Sequence, residues 1–191
     1  MNYIGEDFYT EEELKAKGFK SLGKNVNIKR NVGIFFCENV SIGDNVRIDD
    51  FTIIVGSGEG LVVERNVHLA ASCYLVCYAG IRLRKFSAFS PNVGIYSASE
   101  NYKANSLHNP TVDMKYKKAV HAKVDIGVAC LVGANSVILP GVKMEFGSRC
   151  GALSLLRGTI PEYELWGGNP PKKIQDIEPF DADLLEVIGE K

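Results

Sequence analysis

The chain has 191 residues, 46% of them apolar and 24% charged, which is ordinary composition for one globular domain with its own core. A net charge of -1 gives no attraction toward nucleic acid or an anionic membrane, and apolar runs of only a few residues exclude a membrane-spanning helix. Five scattered cysteines (Cys37, Cys73, Cys77, Cys130, Cys150) form no CxxC pair, so neither a disulfide frame nor a sulfur-ligated metal site is expected.

The first stretch, MNYIGEDFYTEEELKAKGF, is acidic and lacks a basic-then-apolar signal segment, so a cytoplasmic location is expected. Within it, YTEEELKAKG predicts a short helix: Thr10 and Glu13 have capping-box spacing and Gly18 is a stop. Residues 1–20 are expected to cap one end of a repeat domain that starts just after them.

From Leu22 an apolar residue returns every sixth position. The series reads Leu22, Ile28, Ile34; Ile42, Ile48, Ile54; Val63, Leu69, Leu75; Leu83, Phe89, Ile95; and, after a gap, Val120, Ile126, Val132, Ile138, Met144, Cys150, Leu156. Neither a helix (period 3.6) nor a strand (period 2) gives six. A short strand followed by a sharp turn does, and three such sides close a triangular coil. Grid residues then point inward. Small or β-branched residues four positions later, such as Thr52, Ser87, Cys130 and Ser136, fill the corners. Gly and Asn, as in Gly23, Gly43, Gly127, Gly133 and Gly151 and in IGDNV, are expected at turn positions of positive φ. Successive coils stack at strand spacing, so backbone groups pair between them.

Between Ile95 and Val120 the grid is lost in a polar segment, 96–119. So long an excursion from a tight solenoid points to function. The repeat domain, 21–175, ends with GGNPPKK (167–173), and beyond it DADLLEVIGEK predicts a short helix in a tail, 176–191.

The stretches VSIGDNVRID, IGVACLVGANSVILPGV and GALSLLRGTIPEYELWGGNPPKKI resemble the hexapeptide-repeat acyltransferases, and most closely the galactoside and maltose O-acetyltransferases and related sugar acetyltransferases of surface-polysaccharide pathways. The resemblance implies an all-β fold, a left-handed parallel β-helix, with acetyl-CoA as cosubstrate, no metal and a homotrimer whose sites lie between neighbouring copies. Outward apolar residues such as Phe51, Phe86, Leu131 and Phe146 are consistent with hidden faces. The implied activity is O-acetylation of a sugar or sugar-containing acceptor. N-acetylation of a nucleotide amino sugar is the alternative. A γ-carbonic-anhydrase-like metal enzyme is disfavoured, because its histidine ligands sit about five residues apart on one strand, a spacing His68, His108 and His121 do not have. A non-catalytic scaffold would need neither the excursion nor the tail motif.

Direct acetyl transfer needs a base for the attacking group, a donor to the oxyanion and a groove for the thioester. Histidine suits the base role. Counting back from VDIGVACLVG places His108 within one residue of the position of the family's catalytic histidine, whereas counting forward from SPNVGIYSAS places Glu100 there. His68 precedes grid residue Leu69, points outward, and is the other candidate for base or oxyanion donor. His121 reads as a surface residue. Asn92 reads as a turn residue or a substrate contact, and Tyr96 and Tyr102 as candidate walls of a sugar pocket. Small outward residues of GALS leave a groove for a pantetheine arm. Ala134 and Ala152 match the family's coenzyme contacts, and Arg157, Lys172 and Lys173 can meet coenzyme phosphates. Leu131 stands where the family has tryptophan and Gly158 where it has lysine.

Overall fold

The structure, a computed structural model, describes residues 8–103 and 105–189. The start of the expected N-terminal cap, position 104 of the excursion and the last two residues of the tail lie outside the described residues.

The chain winds into a parallel β-solenoid with three faces. The first face stacks Ser21–Leu22, Val40–Ile42, Leu61–Val63, Ile81–Leu83, Val124–Ile126, Lys143–Met144 and Thr159–Ile160. The second stacks Asn27–Ile28, Arg47–Ile48, His68–Leu69, Ala88–Phe89, Leu131–Val132, Arg149–Cys150 and Glu164–Gly167, on which Lys172–Asp176 returns antiparallel. The third stacks Gly33–Phe35, Ile53–Val55, Tyr74–Val76, Gly94–Tyr96, Val137–Ile138 and Leu155–Leu156. Grid residues pair coil to coil: Ile48 on Leu69, Leu69 on Phe89, Phe89 on Val132, Val132 on Cys150.

The grid is the core. All its residues are buried except Leu22 and Ile34, half-buried at the lower end, and Val120. The placement of Val120 is a correction: it lies on the excursion and is 42% exposed, and the core resumes at Val124 and Ile126. Val120 fell in phase with the grid by coincidence of spacing. The corners hold the small residues expected, and their hydroxyls bond to turn carbonyls: Ser87 Oγ donates to Arg84 O at 2.8 Å and Ser136 Oγ to Gly151 O at 3.0 Å.

The turns correct a second expectation. Asparagines do take positive φ, 55° at Asn25 and 57° at Asn135. The glycines that come after grid residues do not; Gly23, Gly43, Gly127 and Gly133 are there for closeness, while a side chain at Gly151 would meet only ordinary contacts. A Cβ on Gly43 would stand 2.8 Å from the Glu64 carbonyl carbon in the coil above, and one on Gly133 would strike the Ala152 nitrogen. Here the side chain is excluded by the stacking distance between coils.

The N-terminal helix, Glu11–Lys15, has the full capping box, with Thr10 N donating to Glu13 Oε2 at 2.7 Å, and buries Leu14 in the lower end of the core. The C-terminal helix, Ala182–Ile188, starts on Asp181 and tucks Ile188 back against the coils, where Arg65 Nη2 donates to the Ile188 carbonyl at 2.9 Å. Two of the outward aromatics are covered by the chain itself: Phe146 packs edge-on against Tyr163 and Phe180, and Phe86 lies under Arg65.

On the first face, Arg84 grips Asp125 of the next coil through two hydrogen bonds of 2.8 Å, across the point where the excursion leaves. The Arg84 hydrogen bonds hold the Asp125 carboxyl below its ordinary value, despite partial burial. A depressed carboxyl contributes stability above its unfolded pKa of about 4 and loses it as pH falls through the lower folded value. Wild type is therefore expected to be more stable than Asp125→Asn near neutrality, with the gap closing below pH about 4. Urea melts of both proteins from pH 2 to 7 read this out, and a pH-independent gap would refute it.

Candidate active site

Two histidine–carboxylate pairs stand at different places on the prism, one on a face and one beyond a corner. The first is on the second face. His68 projects outward from its strand, and its Nε2 lies 2.8 Å from Asp49 Oδ2 in the coil below. Arg47 Nε donates to the other carboxylate oxygen at 2.8 Å. Burial pushes the Asp49 carboxyl up, but the hydrogen bonds from His68 and Arg47 outweigh it and hold the group below its ordinary value. Asp49 is thus a fixed anion that orients the His68 imidazole. Sequence reasoning missed it: the residue stacked directly beneath His68 is Arg47, and Asp49 reaches the ring from two positions further along, just past that strand's end.

Above this pair runs a trench. The residues next after the grid positions on this face are Ala70, Ser90, Gly133, Gly151 and Gly167, and backbone hydrogen bonds of 2.8 to 2.9 Å tie one coil to the next along this row. At the adjoining corner Ala134 and Ala152 lie in successive coils, with Leu153 N donating to Ala134 O at 2.9 Å and the Leu153 side chain exposed at its edge. A thin chain can lie here because no side chain longer than a hydroxymethyl rises from the floor. Gly168 joins the top of this corner, where Leu155 N donates to its carbonyl at 3.1 Å, so the GGNPPKK turn closes the upper end of the trench. Arg157 and Lys172 are exposed beyond it. Lys173 is already engaged, its Nζ 2.7 Å from both Glu164 Oε1 and Asp176 Oδ1. Asn92 sits on the same corner at φ 61° and spends its side-chain amide on Asn135 Oδ1 at 3.2 Å, the turn role the sequence suggested.

The second pair belongs to the excursion, which leaves from the corner between the third and first faces. It is a hairpin, Ala98–Glu100 antiparallel to Ala119–His121, closed at its base by Ala122 N donating to Ser97 O at 3.0 Å. The spacing of residues carried no sign of these strands, which have no apolar alternation. His108 Nδ1 stands 3.7 Å from Glu100 Oε2, inside ion-pair range and outside hydrogen-bond range. The two residue counts that disagreed in the sequence therefore land on the two members of one pair. Glu100 Oε2 is buried and has no hydrogen-bond partner among the described residues. Tyr96 lies on the third face near Tyr74, ring centroids 6.2 Å apart, and Tyr102 is 90% exposed.

The buried thiols are silent. Burial pushes the thiol of Cys77 up to about 12 and those of Cys73 and Cys130 to about 11, so they stay protonated and inert. Among the described residues no cluster of His, Cys, Asp and Glu could hold a metal ion, and no helix is long and apolar enough to cross a membrane.

No family profile matches the chain. Among curated proteins it is 32% identical over 169 residues to a dTDP-4-amino-4,6-dideoxy-D-glucose acyltransferase of Escherichia coli, covering 88% of each chain. It is 26% identical over 172 residues to the putative lipopolysaccharide biosynthesis O-acetyl transferase WbbJ of Escherichia coli K12, covering 90% of this chain and 70% of that one. Among solved structures it resembles a variant of AntD, an N-acyltransferase from Bacillus cereus in complex with dTDP-4-amino-4,6-dideoxyglucose and coenzyme A, with TM-score 0.89 and 33% identity over 96% of this chain and 95% of that one. A maltose O-acetyltransferase from Clostridium difficile 630 shares the fold, at TM-score 0.59 and 22% identity over 88% of this chain and 75% of that one. A left-handed parallel β-helix, a trench of small residues beside one corner and a curated relative 32% identical over 88% of both chains agree: the chain belongs to the hexapeptide-repeat, coenzyme A-dependent sugar acyltransferases.

Proposed function

We propose that this enzyme transfers an acyl group, acetyl or a close homologue, from coenzyme A to the amino group of a nucleotide-linked amino sugar of the dTDP-4-amino-4,6-dideoxyglucose kind. The sequence alone put a sugar hydroxyl first. The observation that carries the amine is Glu100, whose buried Oε2 accepts no hydrogen bond among the described residues. Such an oxygen is costly unless a ligand supplies a donor. A protonated amine brings several N–H donors and a positive charge, whereas a hydroxyl brings one donor and none. The names of the E. coli relative and of AntD point the same way.

In this reading the thioester carrier lies along the trench past Ala152 and Ala134, its phosphates toward Arg157 and Lys172, while the acceptor lies by Glu100 and His108. Within one copy the third face separates these corners. That face exposes Phe35 (57%), Ile53 (36%) and Tyr74 (40%). A homotrimer that buries those side chains brings the excursion of one copy toward the trench of the next and completes the site. His108, with the Glu100 carboxylate 3.7 Å away, takes one proton from the bound ammonium; the neutral amine attacks the thioester carbon, the C–S bond breaks, and the departing coenzyme A thiolate takes the second nitrogen proton and leaves as the free thiol. His68, held by Asp49 at the lower end of the trench, is the candidate donor to the developing oxyanion. Both cosubstrates are highly charged and membrane-impermeant, so a cytoplasmic location accompanies the proposal.

The test is to supply acetyl-CoA with either dTDP-4-amino-4,6-dideoxyglucose or dTDP-glucose, following free thiol and product mass. Thiol release and an amide product are expected with the amino sugar alone. Ester formed on dTDP-glucose, with the amine left untouched, would overturn the reading.

A further inference from the structure

Beneath the excursion hairpin is a cleft of about 570 Å³, within the roughly 300–1,000 Å³ of small-molecule sites. One side of the hairpin faces it. Ala98 pairs with His121 and Glu100 with Ala119, so these four residues share a side, and the two alanines leave its middle open. Opposite stands Tyr78, half-exposed, its ring centroid 4.6 Å from that of His121. The rings make an aromatic step at one end of the cleft. Lys117 also lines the cleft and forms no ion pair among the described residues. Ser57, on the GSGEG loop, lines it too. The N–H groups of Ser57 and Gly58 donate no hydrogen bond among the described residues, although their neighbours Gly56, Glu59 and Gly60 all do. Gly58 has φ +68°, and a Cβ there would collide with the Tyr78 carbonyl, so the loop is held tightly against the aromatic step.

An aromatic platform, an unpaired cation and adjacent free amides are the parts that a nucleoside diphosphate requires: a π-face for the base, and positive charge with N–H donors for the phosphates. We infer that this cleft seats the nucleoside diphosphate half of the acceptor, the base against Tyr78 and His121 and the diphosphate against Lys117 and the Ser57–Gly58 amides. The placement rests on Glu100 being the group that meets the sugar amine, since Glu100 lines the same cleft. It makes the nucleotide, and not the sugar alone, the recognised substrate.

Calorimetric titration with free dTDP and, separately, with coenzyme A tests this on the full-length protein. Wild type is expected to bind dTDP, and thymidine much more weakly. Tyr78→Ala and Lys117→Met are each expected to weaken dTDP binding 10-fold or more, with coenzyme A affinity and melting temperature unchanged. His121→Ala, which leaves the Tyr78 backbone alone, serves as a second probe of the platform. Wild-type affinity for dTDP in all three variants would overturn the placement while leaving N-acylation intact. Amide formation on a free amino sugar by a protein that does not bind dTDP would do the same. Tight dTDP binding that these variants weaken, in a protein that acylates no amine, would uphold the cleft and sink the proposed reaction.

Discussion

His108→Ala is expected to lower turnover about 100-fold or more, the usual loss for a general base, with the affinity for coenzyme A unchanged. The expectation rests on placement. His108 is held on the excursion, away from the trench, so its removal leaves the thioester site intact. Its Nδ1 is 3.7 Å from Glu100 Oε2, close enough for the carboxylate to stabilise the imidazolium formed when the proton arrives. Glu100→Gln keeps the shape but loses that charge. It is expected to slow turnover less than His108→Ala and to raise KM for an amine acceptor more than for a hydroxyl one. Single-turnover rates with added imidazole distinguish the roles: a lost base is partly rescued by the free imidazole, whereas a structural loss is not. His68→Ala is the companion experiment. If both histidine variants retain the wild-type rate, neither is the base.

The second large effect is on stability. Phe89→Ala is expected to cost about 3–5 kcal/mol and to lower the melting temperature by many degrees. Phe89 is 1% exposed and lies between Leu69 below and Val132 above. It is the one aromatic residue on the inward grid, and the triangular section is closed by backbone pairing on three sides, so neighbouring coils cannot collapse into the space. Because each coil contacts mainly its neighbours, the loss is concentrated at the fourth coil. Hydrogen exchange is expected to speed up there before it does at Ile48 or Leu156. Uniform acceleration along the stack would contradict this.

The interior was legible because one geometric rule sets it. A residue that must point into a narrow prism every sixth position leaves a mark that composition cannot hide, as Ile126, Val132 and Ile138 illustrate. Capping was legible for a similar reason: Thr10 and Glu13 satisfy each other locally. The rule also misled. Val120 kept the phase without being in the prism, and glycines such as Gly43 and Gly133 were explained by backbone angle when the cause was the approach of the next coil. The site was legible only in pieces. Partners such as Asp49 for His68, or Glu100 for His108, depend on how coils and loops stack, which a one-dimensional spacing does not encode. Tyr78 and Lys117 carry no motif at all; their cleft exists because a hairpin with no hydrophobic alternation folds over a turn of an earlier coil.

The base of that hairpin has an evolutionary and practical meaning. Ser97 and Ala122 are hydrogen-bonded to each other, and Ile81, Arg82 and Leu83 continue directly onto Val124, Asp125 and Ile126 as if nothing intervened. The intervening segment is thus a cassette plugged into an uninterrupted wall. Closing a loop of a different length there costs little, since the entropic term grows only logarithmically. Grafting the corresponding segment of another such enzyme should redirect acceptor choice without retooling the scaffold.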